Sequence, residues 1–348
     1  MTHHKPLLKV PYKSAFLVWG PPGHGPRSKV LARELGIEAL HYLYASTQRG
    51  LLSAPFRYSY QAFKTLQILF RDRPRVVFVQ SPPSFVVLFV YLYCILSGAK
   101  YLVDAHSAAF LPIWTRPVWL HHFLARQAIT TLVTNEHYQQ TIEGWGGHSF
   151  ILRDIPTSFD QSGEYPVNGN FNLVVVNTFS EDEPLAEILA AAKELPEINF
   201  YITGKKKMAA LETLVSAPAN VHFTDFLPDT SYYGLLNAAQ AVMCLTTRNH
   251  TMQRGACEAL SLGKPIITSD WPLLQTYFHQ GTIHVSNTSA AIRQGVLEMT
   301  GNYPYYQTGI KELQTAQQQE WQEKVALLLG LIEKSVGSTE RKDYVERS

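Results

Sequence analysis

A chain of 348 residues, 46% hydrophobic and 17% charged, is too apolar for disorder and too long for one core, since single cores stop growing near ~250–300 residues; two domains are expected. Its three cysteines, Cys94, Cys244 and Cys257, stand in apolar or helical surroundings without metal-ligand spacing or an even framework, which argues against a zinc site or disulfide scaffold and suits a reducing cytoplasm. The net charge is only +2, but 16 Lys and Arg face 8 Asp and Glu up to residue 160 and 14 face 20 beyond it, so the halves carry +8 and −6. That asymmetry turns the first half toward something anionic, a membrane surface or a phosphorylated acceptor, whereas no recognition motif accompanies it to suggest nucleic acid.

The first apolar run, SAFLVWG at 14–20, is too short for a signal peptide and reads as a strand. It leads into WGPPGHGPRSKVLARELG at 19–36, where Gly20, Gly23 and Gly25 permit a tight loop with exposed N–H groups and Arg27 stands at the start of a helix over 26–36. The dinucleotide fingerprint is not met there. Strand-length runs follow at 75–80, 100–106, 130–135 and 148–154, as buried parallel strands read. Two strand ends carry polar residues: QSPPS at 80–84, and VDAH at 103–106, which sets Asp104 and His106 where ligands of open α/β sheets bind. The run FVVLFVYLYCILS at 85–97 falls short of the ~20 residues a membrane span needs, in the class of buried core or interfacial helices, and is expected to be a core helix. In WTRPVWLHHFLAR at 114–126, Trp, Arg and His mix as in segments at a membrane interface, and equally as in ordinary packing of two tryptophans.

A stretch without periodicity and rich in Pro, Gly, Ser and Asn, 156–170, marks the linker. Beyond it strands read at 172–178, 198–204, 220–226, 241–247 and 264–270, with helices at 184–195 and 231–240 between them. The segment 246–278 reads as loop, helix start, Gly-Lys-Pro turn and buried strand. Gly255 and Ala256 are small enough to bring helix-start N–H groups close to an anion, and Glu258 follows on the same face, suited to a ribose diol. The tail at 309–335 is a helix, polar first and apolar later, and 336–348 is charged. The boundaries are therefore 1–158, a linker at 159–170, 171–308, and a terminal helix and tail at 309–348. The fold class is α/β, with two doubly wound, Rossmann-like parallel-sheet domains and an inter-domain cleft.

Residues 246–278 resemble the donor-nucleotide motif of GT-B glycosyltransferases of the family 4 type, in which Glu, seven residues, a second Glu and a Gly-x-Pro turn succeed one another. Glu258 takes the second Glu, Gly263–Pro265 the turn, and His250 the place of the first Glu, which in that family usually touches the transferred sugar. The first half is similar to the chitobiosyldiphosphodolichol β-1,4-mannosyltransferases: the glycine-rich helix start before Arg27, then Gln80–Ser84 in place of Asn-Pro-Pro, then Asp104–Ser107 in place of Asp-x-His-Asn. The resemblance implies a C-terminal helix that crosses back to the first domain. It implies that Gly25, Arg27 and Ser81 face the acceptor and that Asp104 and His106 carry the chemistry, His106 binding a sugar hydroxyl or acting as base. It gives Phe226, Leu227 and Pro228 to the nucleotide base. Gly204 and Lys205 end a strand within reach of the diphosphate, and Arg254, Lys205 and Lys206 are the cations expected to face the phosphates.

The expected activity is transfer of a hexosyl unit from a nucleoside-diphosphate sugar to a sugar or lipid-linked sugar acceptor, in the cytoplasm or at the inner face of the membrane with peripheral association. No cofactor is expected, and no metal either, because no Asp-x-Asp motif or His/Cys cluster occurs and a helix N-terminus with Arg254 can stabilise the leaving group. Two rivals stand beside it. One is a non-catalytic GT-B subunit partnering another glycosyltransferase, favoured by His250; the other is a nucleotide-sugar epimerase.

Overall fold

The computed structural model describes residues 8–21, 26–45, 54–154 and 163–345. The chain divides into two compact units, Met1–Asp154 with Trp321–Ser348, and Ile155–Glu320.

In the first unit, β1 (Ser14–Val18), α1 (Pro26–Glu34), β2 (Ala39–Tyr42), α2 (Ala54–Asp72), β3 (Val76–Ser81), α3 (Phe85–Ser97), β4 (Lys100–Ala105), α4 (Val118–Gln127), β5 (Thr131–Val133), α5 (Glu136–Gly144) and β6 (Ser149–Ile151) alternate along the chain. The strands form one parallel sheet in the order β2-β1-β3-β4-β5-β6. The apolar runs of β1, β3 and β4 are buried on both faces, as parallel crossovers require. Strand order reverses between β1 and β3, so the ends of β1, β3 and β4 gather at a switch point.

The second unit repeats the plan with β7 (Phe171–Val175), α6 (Leu185–Lys193), β8 (Ile198–Thr203), α7 (Leu211–Val215), β9 (Val221–Asp225), α8 (Asp229–Ala238), β10 (Ala241–Cys244), α9 (Arg254–Ser261), β11 (Ile266–Ser269), α10 (Pro272–Tyr277), β12 (Thr282–Val285) and α11 (Ser289–Gly301). Its parallel sheet runs β12-β11-β10-β7-β8-β9, with the reversal between β7 and β10. Helix α12 (Tyr303–Val345) is longer than the periodicity of 309–335 suggested. Its first part buries Tyr306, Ile310 and Leu313 in the cores of the second unit. Its later part buries Trp321, Val325, Leu328, Ile332 and Val336, residues that belong to the first unit. Such stripes at spacings of three and four seat a helix.

Each strand expected from the sequence is present. Two further ones, β2 and β12, lie at sheet edges, where half-burial leaves polar residues interleaved and no continuous apolar run to find. Helix α3 corrects one expectation: Val86, Val87, Val90, Tyr93 and Cys94 are buried, but Phe85, Leu92, Ile95 and Leu96 are exposed, so only one side of it is core.

Candidate functional site

In the second unit a cavity of about 340 Å³ opens at the switch point, lined by the ends of β7, β8 and β9 and by the starts of α8 and α9. Two short contacts bring those ends together. A Cβ on Gly255 would stand 2.5 Å from Cys244 Sγ and 2.7 Å from Val176 Cβ, so only glycine lets the start of α9 settle onto the ends of β7 and β10. The sequence suggested that Gly255 is small for the ligand's sake; its missing Cβ faces the sheet. Gly204 has φ +109°, and a Cβ there would stand 2.5 Å from the Asn177 carbonyl, which seats the end of β8 against the loop after β7.

Gly204, Phe226, Leu227, Arg254, Gly255 and Glu258, all expected from the sequence, line this one cavity. Ala256, within α9, is fully buried, which leaves only its backbone for a ligand. The N–H groups of the first turn of α9 have no carbonyl a turn earlier in the helix to receive them, so they make that end a site for negative charge. Pro228 and Lys205 lie beside the lining rather than in it: Pro228 caps α8, and Lys205 Nζ sits 5.2 Å from the centre of the exposed Phe226 ring. Lys206 gives its backbone N–H to Asp225 Oδ1 at 3.0 Å. His250, with φ +59°, is not among the lining residues.

Glu258 is buried, and its carboxylate is already engaged. Tyr232 donates to Oε2 at 2.7 Å, Arg254 Nε to Oε1 at 2.7 Å, and Tyr233 to Oε1 at 3.4 Å. Burial and the neighbouring carboxylate raise the Tyr232 phenol well above its ordinary value, and push the Tyr233 phenol up to about 12. Burial opposes the charge on Arg254, yet Glu258 holds its pKa above the ordinary arginine value. Both tyrosines were missed in the sequence; they open α8, directly after a strand end, and that position is the signal that finds them. The acidic loop after β7 folds on itself, Glu183 accepting from the N–H groups of Thr178 and Ser180 at 2.8 and 2.9 Å.

The first unit has a second cluster, at the ends of β3 and β4. Asp104 is fully buried, and its Oδ1 accepts from Arg27 Nε at 3.0 Å while Oδ2 accepts from Ser28 Oγ at 3.1 Å. His106 Nε2 lies 3.1 Å from the same Oδ2, leaving Nδ1 as the other ring nitrogen on a partly exposed side chain. Arg27 also bonds Asp154 through Nη1 and the Leu152 carbonyl through Nη2 at 2.7 Å. Every guanidinium nitrogen of Arg27 is thus held inside the unit, so it braces the cluster and is not free for an acceptor. Burial alone would raise the Asp104 pKa, but Arg27 and His106 hold it well below the usual carboxylate range. That makes Asp104 a fixed anion that orients His106, not a base. Ser81 is buried and takes the His106 N–H on its carbonyl at 2.9 Å. Gly25 lies outside the described residues. Among the described residues no group of three or more His, Cys, Asp and Glu could hold a metal ion.

Residues 172–302 match the family model described as Glycosyl transferases group 1. No curated protein matches the chain. Among solved structures, the sucrose-phosphate synthase from Thermosynechococcus elongatus is 12% identical with a TM-score of 0.65, over 96% of this chain and 99% of that one. Anabaena Alr3699/HepE, in complex with UDP and glucose, is 14% identical with a TM-score of 0.67, over 92% and 99%. A glycosyltransferase from Rickettsia africae is 12% identical with a TM-score of 0.65, over 95% and 98%. At such identities the likeness is one of fold, and that fold is GT-B. The family match falls on the unit that holds the cavity.

Proposed function

We propose that the chain transfers a hexosyl unit from a nucleoside-diphosphate sugar held in the cavity of the second unit. The observation that carries this is the meeting, at one switch point, of the α9 N-terminus, the Arg254 guanidinium and the buried Glu258 carboxylate. The diphosphate lies against the first-turn N–H groups of α9 and the terminal nitrogens of Arg254, which stabilise it as it leaves. Glu258 takes the ribose hydroxyls, with Phe226 and Leu227 beside the base. UDP and UDP-glucose in the complexes of Anabaena Alr3699/HepE support a uridine nucleotide as first choice for the donor.

The acceptor is a sugar or lipid-linked sugar met by the first unit, where His106, oriented by Asp104, binds or deprotonates the attacking hydroxyl. The similarity to the chitobiosyldiphosphodolichol mannosyltransferases and the basic charge of the first half support a lipid-linked acceptor and peripheral association with the cytoplasmic membrane face. No metal is required, since a helix terminus and an arginine take its place in leaving-group stabilisation.

Hydrolysis of a panel of UDP- and GDP-sugars, with thermal shift for binding, tests the reading. One donor is expected to bind and turn over slowly, and Glu258→Ala to weaken it by about tenfold to a hundredfold, the loss of hydrogen bonds to a charged group at roughly 1.5–3 kcal/mol. A panel that binds but never turns over would favour a non-catalytic subunit, the reading supported by His250 at the place of the first motif Glu and away from the cavity lining. Turnover to a second nucleotide sugar with no acceptor would favour an epimerase.

A further inference from the structure

Helix α2 is built inside out for a protein whose outer face meets only water. Phe56, Tyr60, Phe63 and Phe70 recur at intervals of three, four and seven, so they share one stripe, and all four are exposed, Phe56 by 81% and Phe63 by 65%. The opposite side holds Gln61, Ala62, Thr65 and Leu69 against the core. Arg57, Lys64 and Arg71, seven residues apart, make a second stripe directly beside the aromatic one, and Lys64 Nζ lies 6.0 Å from the centre of the Tyr60 ring.

The two helices that follow continue the pattern. Helix α3 packs on α2 through Phe70 and Tyr93, with ring centres 5.2 Å apart, and exposes Ile95 and Leu96, the latter by 74%. Helix α4 meets α3 through Tyr91 and Phe123 at 5.1 Å and exposes Trp119 by 69%, within the segment whose mixture of Trp, Arg and His left lipid contact open. From residue 54 to residue 127 the sequence carries eight Lys and Arg against two carboxylates. One of these, Asp104, is buried against Arg27, and the other, Asp72, is paired with Arg71. The outer surface of these helices is therefore apolar and cationic with almost no opposing charge.

We propose that the outer face of α2, continued over α3 and α4, is the surface by which the first unit docks on an anionic lipid bilayer. Aromatic side chains flanked by arginine and lysine suit the boundary between head groups and acyl chains, where each half of the pair finds its own medium. Among the described residues no helix is long and apolar enough to cross a membrane, so contact with one leaflet is what this face offers. A second copy of the chain fits poorly, because pairing this face with itself would set one cationic surface against another. The inference deepens the membrane part of the proposed function and does not depend on the transfer reaction.

Flotation of the full chain with vesicles of phosphatidylcholine alone, and of phosphatidylcholine with phosphatidylglycerol, tests it. The chain is expected to float with the anionic vesicles and to be released by salt. Phe56→Ser with Phe63→Ser is expected to lower partitioning by about tenfold or more, and Lys64→Glu with Arg71→Glu to abolish the preference for anionic lipid, roughly a tenfold or larger change. Phe56, Phe63 and Arg71 are exposed and Lys64 is half-buried at the surface, and the nucleotide cavity belongs to the other unit, so both variants should keep the melting temperature and the nucleotide-induced thermal shift of the parent. Absence of flotation with either vesicle, or flotation that neither double variant alters, overturns the proposal. So does a dimer in light scattering that the aromatic variant alone converts to monomer without any lipid binding, since the face would then be covered by protein. A failed sugar panel with intact flotation leaves this inference standing and removes only the proposed reaction.

Discussion

At the scale of single residues, the two clusters are opposite uses of a carboxylate. Glu258 sits at the edge of a cavity with three donors on it, and a carboxylate offers about four lone-pair positions, so a ribose diol must share or displace one of them. Tyr232, whose hydroxyl makes the 2.7 Å contact to Oε2, holds the Glu258 carboxylate and, on the proposed reading, would position it for the ribose. Tyr232→Phe is expected to weaken nucleotide binding by about threefold to tenfold, the value of a hydrogen bond of roughly 0.5–1.5 kcal/mol, and titration calorimetry would measure it. Asp104 by contrast is closed off from solvent and held ionised by Arg27. Its folded pKa lies below its unfolded value, so its stabilisation is present above the ordinary carboxylate range and is lost as the pH falls toward the folded value. Asp104→Asn is expected to lower stability at neutral pH, by less than the ~3–5 kcal/mol of a wholly uncompensated buried charge because Asp154 still pairs with Arg27, and to flatten the acid limb of a pH series of melting temperatures. An unchanged acid limb would mean that other carboxylates govern it. His106→Ala, with the ion pair intact, should instead keep the stability and slow transfer.

At the scale of elements, the start of α9 decides the proposed donor site, and it is placed by the sheet rather than by a ligand. Gly255→Ala would force a methyl into Cys244 and Val176 and lift the helix start from the strand ends. Overpacking of this kind costs about 1–3 kcal/mol, and because the displaced atoms are the N–H groups proposed to hold the diphosphate, nucleotide affinity is expected to fall along with the melting temperature. Loss of stability with unchanged affinity would separate the helix start from the phosphate. The same contrast explains what the sequence discloses. Central strands are legible because burial on both faces writes an unbroken apolar run, and α9 because small residues and Glu258 mark its opening turn. The edge strands β2 and β12 are not, and neither is the occupation of Arg27, since its partners Asp104, Leu152 and Asp154 lie 77, 125 and 127 residues away and no local pattern encodes them. Helix α3 misleads because its composition is apolar all round, although only one side reaches the core.

At the scale of the whole molecule, each sheet has its own core, yet α12 belongs to both units. Its Tyr306, Ile310 and Leu313 complete the second, while Val325, Leu328, Ile332 and Val336 are lodged with the first. Ending the chain at Glu320 would remove those four aliphatic side chains at once. At roughly 1.5–3 kcal/mol for each buried side chain, their loss is comparable with the ~5–15 kcal/mol by which a domain is stable. The second unit keeps its cavity, its sheet and the first part of α12, so the two units should part company in calorimetry. The truncated chain is expected to lose the transition of the first unit while keeping one that nucleotide still raises, because a ligand stabilises only the structure that binds it. If nucleotide no longer shifted any transition, the donor unit would depend on the last helical turns as well, and the separate cores would not suffice to hold either unit folded.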